Sequence, residues 1–148
     1  MIFAAAFATE LGVALHVSLR EEAFPSPHSG WVIGGIVTAI FGLLLRVWAV
    51  RTLGRFFTFT VKLQDRHRVV STGPYRLLRH PAYTGSLCTF LGAALALGSW
   101  VGVVLVVLLM LPAYLYRISV EERAMNAELG SDYERYQART WRLVPLIF

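Results

Sequence analysis

Residues 82–116 read AYTGSLCTFLGAALALGSWVGVVLVVLLMLPAYLY and contain no charged side chain. The break Gly98-Ser99-Trp100 divides this stretch into two apolar runs, 82–97 and 101–116. An α-helix needs roughly 20 apolar residues to cross about 30 Å of hydrocarbon, and fewer where flanking side chains reach the interface. Because the break is so short, the stretch predicts a transmembrane helical hairpin.

Two further apolar runs, 1–19 and 31–50, precede the hairpin and are separated by the polar turn 20–30. A cleavable signal peptide is another interpretation of the first run, but that run has no basic leading segment, so we interpret it as a helix. We therefore predict an all-α fold in a single membrane domain, residues 1–148, with about four transmembrane helices and a helical cytoplasmic C-terminal segment.

The composition supports the membrane class. Hydrophobic residues make up 56% of the chain, charged residues make up 16%, and the mean hydropathy is +0.57. Soluble domains have about 45–50% apolar and about 25% charged residues, and disordered chains have low hydrophobicity with high charge. Both of those classes are therefore excluded. The single cysteine, Cys88, cannot form a disulfide within the chain.

The basic residues predict the orientation. Of the 14 lysines and arginines, 12 lie in residues 51–79 or from residue 117 onward. Cytoplasmic loops carry the excess of basic residues, so we expect residues 51–85, residues 117–148 and both termini on the cytoplasmic side of a bacterial-type inner membrane. The net charge of +5 follows from this topology. No nucleic-acid recognition motif accompanies it, so we expect no nucleic-acid partner.

Three ionisable residues fall inside the predicted spans: Glu10, His16 and Arg46. Such residues are costly in hydrocarbon and are functional candidates by default. Arg46 lies close to the basic inner end of its span, so we interpret it as reaching for the interface. Glu10 and His16 are open to two interpretations, a hydrogen bond between helices or contact with a substrate.

Small residues also recur along two of the spans. They occur at every fourth position and comprise Gly34, Thr38 and Gly42, then Gly85, Thr89 and Ala93. Small side chains at this spacing allow helix backbones to approach closely in lipid. The pattern therefore predicts helix packing and carries no chemistry.

A motif stands at the inner entrance of the third span, where residues 73–85 read GPYRLLRHPAYTG. Gly73-Pro74 is a turn signal, and Pro81 suits the first turn of a helix. Arg79 and His80 would then lie at a helix N-terminus, where free N–H groups and positive charge could bind a carboxylate or phosphate. Alternatively, the arginines only mark the inner membrane surface.

The fourth helix is predicted to extend beyond the bilayer. If it runs through residues 101–129, it is about 43 Å long, which exceeds the hydrocarbon thickness. Its cytoplasmic end carries Glu121 and Glu122 at about the level of His80. Adjacent side chains on a helix point about 100° apart, so we expect one of the two carboxylates to face the motif and the other to form ion pairs within its own helix.

A second short helix is predicted after the fourth span. Gly130 ends the long helix, and Ser131 with Glu134 matches a capping box. Three polar residues would share a face of this short helix: Tyr133, Tyr136 and Thr140.

Taken in order, these elements resemble one membrane enzyme family. They are Gly73-Pro74-Tyr75-Arg76, Arg79-His80-Pro81 with Tyr83 and Gly85, Glu121-Glu122, and Tyr133 and Tyr136 with Arg142 and Pro145. The set resembles the isoprenylcysteine carboxyl methyltransferases and their relatives, the phospholipid N-methyltransferases and small bacterial membrane methyltransferases. It spans residues 73–145, about half of the chain, and residues 53–57, LGRFF, resemble the preceding segment of many members.

The resemblance implies an S-adenosylmethionine-dependent methyltransferase. The cofactor would occupy a cytoplasmic pocket between the last hairpin and the C-terminal segment, and a lipophilic acceptor would enter from the bilayer among membrane lipids. The implied catalytic residues are Glu121, Glu122 and Arg142. The implied cofactor-binding residues are Arg79, His80, Pro81, Tyr83, Gly85, Glu122, Tyr133 and Tyr136. No metal is implied.

The acceptor and two other functions remain open at this point. The acceptor could be the carboxylate of an isoprenylcysteine-like compound, an amine or a thiol, and specificity for prenylcysteine does not carry over to a chain with fewer spans. A sterol-reductase-like enzyme using NADPH and a non-catalytic oligomeric transporter are the alternatives. A transporter would depend on Glu10 and His16, whereas a methyltransferase would bind its cofactor without them.

Overall fold

A computed structural model describes residues 29–54 and 69–145 of the chain. We number its helices α1 (Ser29–Leu53), α2 (Pro81–Ala96), α3 (Trp100–Leu129) and α4 (Ser131–Gln137). A short 3-10 helix, Gly73–Arg76, precedes α2, and α3 contains a π-helical turn at Val106–Met110. The described residues include an isolated parallel β-bridge between Leu78 and Trp141.

Two of these helices are long and apolar enough to cross a membrane: Gly30–Leu53 and Trp100–Leu129. The protein itself buries 17% and 28% of their most apolar windows, so most of that surface faces outward. The core helix of a soluble protein would hide such a surface, whereas a bilayer covers it. The chain is therefore a mostly helical membrane protein, as the sequence predicts.

Of the remaining predicted spans, the third lies among the described residues and the first does not. The third run forms α2, whose 16 residues make it shorter than the other two apolar helices. The first run, 1–19, with Glu10 and His16, lies outside the described residues, as does the basic segment 55–68.

The helix boundaries follow from local sequence. As predicted, Pro81 opens α2. The connection to α3 turns at Gly98, whose φ is 66°, and the side chain of Ser99 caps α3 by accepting the Gly102 N–H at 3.0 Å. Gly130, with φ of 49°, ends α3 as predicted.

The predicted capping box at α4 is wrong. Ser131 is the first residue of α4, and no side chain caps the helix. The N–H groups of Tyr133 and Glu134 instead bond to the carbonyl of Gly130, each at 3.1 Å. The reason is that the sharp turn out of α3 needs a positive φ, so glycine occupies the position that the serine would need.

Contacts divide the described residues into two units, 29–44 with 85–115, and 45–54 and 69–84 with 116–145. In the first unit, α1 and α2 pack backbone to backbone. A Cβ added at Gly42 would lie 2.5 Å from the Gly85 carbonyl oxygen and 2.5 Å from the Thr89 nitrogen. A Cβ at Gly35 would overlap the backbone of Gly92 and Ala96 in the same way.

The predicted packing stripe on α1 was therefore correct at Gly42 and wrong at Gly34. Among the described residues, a Cβ at Gly34 would meet no atom within 4 Å. Thr38 is half-buried, and its hydroxyl is bonded to its own helix. Seven residues advance a helix by nearly two full turns, so Gly35 and Gly42 lie on one face, whereas eight residues overshoot that face by about 80°.

In the second unit, a small core consists of Ala49, Tyr75 and Ala82. Arg46 reaches into this unit, because its Nη1 donates to the Ala82 carbonyl at 3.2 Å. The structure thus gives Arg46 a partner within the protein in addition to the interface expected from the sequence. This bond ties the end of α1 to the start of α2.

The glycine packing gives the first testable prediction. We expect Gly35→Ala to lower the free energy of unfolding in detergent by about 1–3 kcal/mol, because backbone atoms must move to admit the methyl group. The neighbouring Gly34→Ala is the matched control and should not destabilise the protein, since that position is open. Equal stability of the two variants in thermal unfolding would contradict the packing described here.

Candidate functional site

The predicted motif begins with a tight turn. Gly73–Arg76 forms the 3-10 helix, and Gly73 has a φ of 56°. A Cβ at Gly73 would lie 2.9 Å from Thr52 Oγ1, so both the conformation and the available space require glycine. As the sequence predicts, Arg79 and His80 stand directly before the first turn of α2.

The C-terminal strap, which we define as residues 136–143, pairs with this motif through the main chain. Its bonds run from Trp141 N to Leu77 O at 2.9 Å, from Arg79 N to Trp141 O at 2.7 Å and from His80 N to Arg142 O at 3.2 Å. The N–H groups that the sequence left free for an anion are thus used inside the protein. Any anion must be bound here mainly by side chains.

Side chains fasten the strap at three more points. The hydroxyl of Tyr136 donates to the Tyr75 carbonyl at 2.9 Å. The Thr84 hydroxyl donates to the Leu143 carbonyl at 2.8 Å, and Arg79 Nη1 donates to the Gln137 carbonyl at 3.1 Å. Tyr136, which the resemblance assigned to the cofactor, therefore has its hydroxyl committed to the backbone.

Glu122 lies at the centre of the site, and only 4% of its surface is exposed. Three cationic or ionisable side chains converge on its carboxylate: Arg79 Nε at 3.0 Å, His80 Nε2 at 3.3 Å and Arg142 Nη2 at 2.5 Å. A buried carboxylate is tolerated only when it is paired in this way.

The pKa of Glu122 reflects these partners. Burial opposes ionisation of the carboxyl group, but hydrogen bonds from His80 and Arg142 and the charge of Arg79 outweigh it and lower the pKa of Glu122 to about 2. The group lies beyond the apolar run that ends at residue 116. It is therefore an ionised anchor for its partners at neutral pH.

Glu121 forms a second cluster beside the first. Its Oε1 accepts from the Tyr83 hydroxyl at 2.6 Å and from Arg117 Nε at 2.8 Å, and Arg117 Nε also donates to the Tyr83 hydroxyl at 3.0 Å. His80 Nδ1 lies 3.8 Å from Glu121 Oε2. The Glu121–Arg117 pair is the internal ion pair that the sequence predicts.

The expectation that one glutamate alone faces the motif is wrong. Both carboxylates contact it, Glu122 through Arg79 and His80 and Glu121 through Tyr83. The reason is the imidazole of His80, whose two nitrogens point in different directions and reach two carboxylates that diverge on one helix.

Three other predicted site residues, Pro81, Tyr133 and Gly85, occupy buried positions. Pro81 is buried in the first turn of α2, and Tyr133 is buried with its ring centroid 5.9 Å from that of Tyr136. Gly85 serves the packing of α1 against α2 in the first unit.

Sequence reasoning missed several residues of the site. Arg117 could have been found, because it stands four residues before Glu121 and such pairs meet on one helix face. Thr84 and Trp141 had no comparable signal, since each bonds to a backbone group remote in sequence.

The family model described as phospholipid methyltransferase matches residues 31–132, more than half of the chain. The chain belongs to this family. The matched range includes α1 from residue 31 onward, the motif, α2, both glutamates and the start of α4. The strap lies beyond it.

Two individual relatives of this chain are named as protein-S-isoprenylcysteine O-methyltransferases. An Oryza sativa subsp. indica protein named "Probable protein-S-isoprenylcysteine O-methyltransferase" is 32% identical over 84% of this chain and 67% of its own. Protein-S-isoprenylcysteine O-methyltransferase B of Arabidopsis thaliana is 30% identical over 84% of this chain and 65% of its own.

A solved structure has a similar fold. The eukaryotic intramembrane Ras methyltransferase ICMT superposes with a TM-score of 0.78 at 22% identity, covering 98% of this chain. The chain spans about half of that protein, 52%, and about two thirds of the curated relatives above. It is thus an isoprenylcysteine carboxyl methyltransferase-like membrane methyltransferase, as the sequence motifs predict.

The ion cluster of this methyltransferase generates a prediction on stability. We expect Glu122→Gln to lower the free energy of unfolding in detergent by about 3 kcal/mol at pH 7, because Arg79 and Arg142 lose the charge that compensates them. The stabilisation by Glu122 is complete above its ordinary pKa of 4.5 and disappears as the pH falls through about 2.

Chemical denaturation of wild type and variant at pH values from about 7 down to about 2 would measure this difference. The gap between the two proteins should shrink as the solution becomes more acidic. Glu134→Gln, an exposed position on α4, is the control and should leave stability nearly unchanged at every pH. A gap that stays constant with pH would disprove the assigned role of the carboxylate.

Proposed function

We propose that this chain transfers the methyl group of S-adenosylmethionine to the carboxylate of a lipophilic, isoprenylcysteine-like acceptor. The family and the names of the relatives support methyl transfer and this class of acceptor. The arrangement of the two glutamates supports a carboxylate over an amine or a thiol.

The state of the glutamates is the observation that carries the choice of acceptor. Glu122 is held by three partners and has a pKa of about 2, so it is a poor base. Glu121 already accepts bonds from Tyr83 and Arg117. An amine or thiol must lose a proton to react, whereas a carboxylate arrives ionised and needs no base. The site therefore suits carboxyl methylation.

The charge of the cluster fits the methyl donor. Three arginines, Arg79, Arg117 and Arg142, contact two carboxylates, which leaves positive charge in excess. S-adenosylmethionine bears a methionyl carboxylate that such an excess would hold. When bound, it supplies an electrophilic methyl group for in-line displacement.

We assign roles to the chain's own residues on this basis. Arg79, His80 and Tyr83 would border the donor, with Glu122 fixing the first two in place. Arg142, whose Nη2 donates to Glu122, is the residue that we assign to the acceptor carboxylate. The residues thereby bring the two reactants together in alignment, which is the main requirement of a displacement reaction.

Tyr133, Tyr136 and the strap would close this site and exclude water. Tyr133 and Leu143 are buried, and Tyr136 fixes the strap to the motif. Pro81 and Gly85 would act on the fold, Pro81 by starting α2 and Gly85 by admitting α1.

We also propose a topology of four spans, formed by residues 1–19, α1, α2 and α3. The basic segments and the site would lie on the cytoplasmic side, in the orientation that the positive-inside rule gives for a bacterial-type inner membrane. The lipophilic acceptor would then reach the site from the bilayer.

Comparison of acceptors tests the proposal. We expect the purified protein to methylate an N-acetyl-S-farnesylcysteine carboxylate from radiolabelled S-adenosylmethionine and to form a base-labile ester. Between about pH 6 and pH 9 the rate should be nearly flat, because the acceptor is ionised throughout.

The carboxamide of the same compound is the matched control and should not react. Phosphatidylethanolamine tests the amine alternative. Methylation of this lipid at a rate that rises with pH, without reaction of the farnesylcysteine, would refute the assignment of a carboxylate acceptor.

A further inference from the structure

Two large apolar side chains are exposed where α1 meets the motif. Trp48, near the C-terminal end of α1, is 55% exposed, and Leu77, directly after the 3-10 helix, is 58% exposed. Within residues 69–96, Leu77 is the only large hydrophobic residue with so exposed a side chain. Neither side chain has a part in the site described above. Apolar side chains exposed together favour contact with an apolar partner.

The turn that precedes Leu77 packs against the end of α1. A Cβ at Gly73 would lie 3.3 Å from Trp48 Nε1 and 2.9 Å from Thr52 Oγ1. The segments also share the core that contains Ala49 and Tyr75. Trp48 and Leu77 are therefore close together, although they are remote in sequence.

Two exposed arginines accompany them. Arg51 stands three residues after Trp48 on α1, and residues at that spacing are neighbours on a helix surface. Arg76 stands three residues after Gly73, and side chains at that spacing overlie one another in a 3-10 helix. Each arginine thus lies on the side of its helix that meets Trp48. We define the collar as Trp48, Arg51, Arg76 and Leu77.

The surrounding sequence offers almost no negative charge to the collar. Between Glu22 and Glu121 there is one acidic residue, Asp65, which lies outside the described residues. The end of α1 and the motif therefore supply no carboxylate to Arg51 or Arg76 in the part of the chain that the structure describes. A partner that brings negative charge would complement them.

The surface of a membrane meets both requirements. Tryptophan is enriched at the level of the lipid headgroups, and exposed arginines there attract anionic lipids. Because the bilayer covers the apolar surface of α1, the end of that helix passes through the headgroup layer. We propose that the collar seats the motif in this layer and binds anionic phospholipids, with Leu77 at the boundary of the acyl chains.

A fluorescent label at position 77 tests contact with the membrane. The chain has one cysteine, so Cys88→Ala with Leu77→Cys gives a single site for bimane. In vesicles of phosphatidylcholine and phosphatidylglycerol, we expect nitroxide-labelled lipids to quench this bimane strongly and aqueous iodide to quench it weakly. Ala127→Cys, an exposed position beyond both glutamates on α3, is the control and should show the reverse.

Two results would overturn the proposal. Strong quenching by iodide alone would place Leu77 in water. Protection from both quenchers would show that protein covers it, either another segment of this chain or a second copy.

The headgroup preference tests the two arginines of the collar. At equal mole fractions, nitroxide-labelled phosphatidylglycerol should quench the bimane about twofold more than nitroxide-labelled phosphatidylcholine. Arg51→Gln with Arg76→Gln should remove this preference. Arg123→Gln with Arg135→Gln removes the same charge at two exposed positions outside the collar and should retain it. Equal quenching by the two lipids before any arginine is replaced would contradict binding of anionic lipid.

The unlabelled wild-type protein gives an independent measurement that needs no cysteine variant. Its tryptophan fluorescence should fall more with brominated phosphatidylglycerol than with brominated phosphatidylcholine, and Trp48→Phe should remove the difference. Trp31→Phe, at another exposed tryptophan of α1, is the control and should retain it. A difference that survives Trp48→Phe would refute the collar. Neither measurement uses a methyl donor, so failure of the proposed function would leave these expectations unchanged.

Discussion

The buried carboxylate of Glu122 organises the second unit. It binds Arg79 and His80 from the segment before α2 and Arg142 from the strap. Arg79 and Arg142 are remote in sequence, and their two positive charges would repel one another without the carboxylate. The Glu122 carboxylate therefore joins three parts of the chain. Its partners in turn keep it ionised.

The main chain reinforces this arrangement. The strap bonds to the motif through Leu77, Arg79 and His80, and the parallel bridge between Leu78 and Trp141 fixes their alignment. Backbone bonds of this kind define positions closely but select no ligand. Backbone pairing and charge therefore have separate roles. The strap places Arg142 beside the motif. Glu122 then determines where the Arg142 guanidinium points.

Much of this architecture is readable from the sequence, because its causes are local. Apolar runs predicted α1 and α3, Pro81 and Gly130 marked helix boundaries, and the ordered motifs indicated the methyltransferase family. The errors concern features that depend on geometry finer than residue type. The packing stripe was displaced by one residue at Gly34, and the capping box failed because Gly130 already occupied the cap.

The sequence predicted which residues meet at the candidate site more completely than it predicted the bonds between them. The sequence correctly placed His80, Glu121 and Glu122 close together. It did not predict the strap, because bonds to backbone groups do not depend on which side chains are present. The sharing of His80 by both glutamates depends on ring orientation. Pairings of this kind depend on the tertiary structure, so no local spacing reveals them.

The backbone contact of α1 with α2 affects how variation among homologues should be interpreted. A Cβ at Gly35, Gly42 or Gly92 would overlap the backbone of the opposing helix, so these positions leave no room for a methyl group. Strict retention of these three positions across species would reflect the spacing of two helices and would say nothing about the substrate. Gly85 is the instructive case, because it closes a sequence motif that suggests catalysis while its carbonyl lies against another helix.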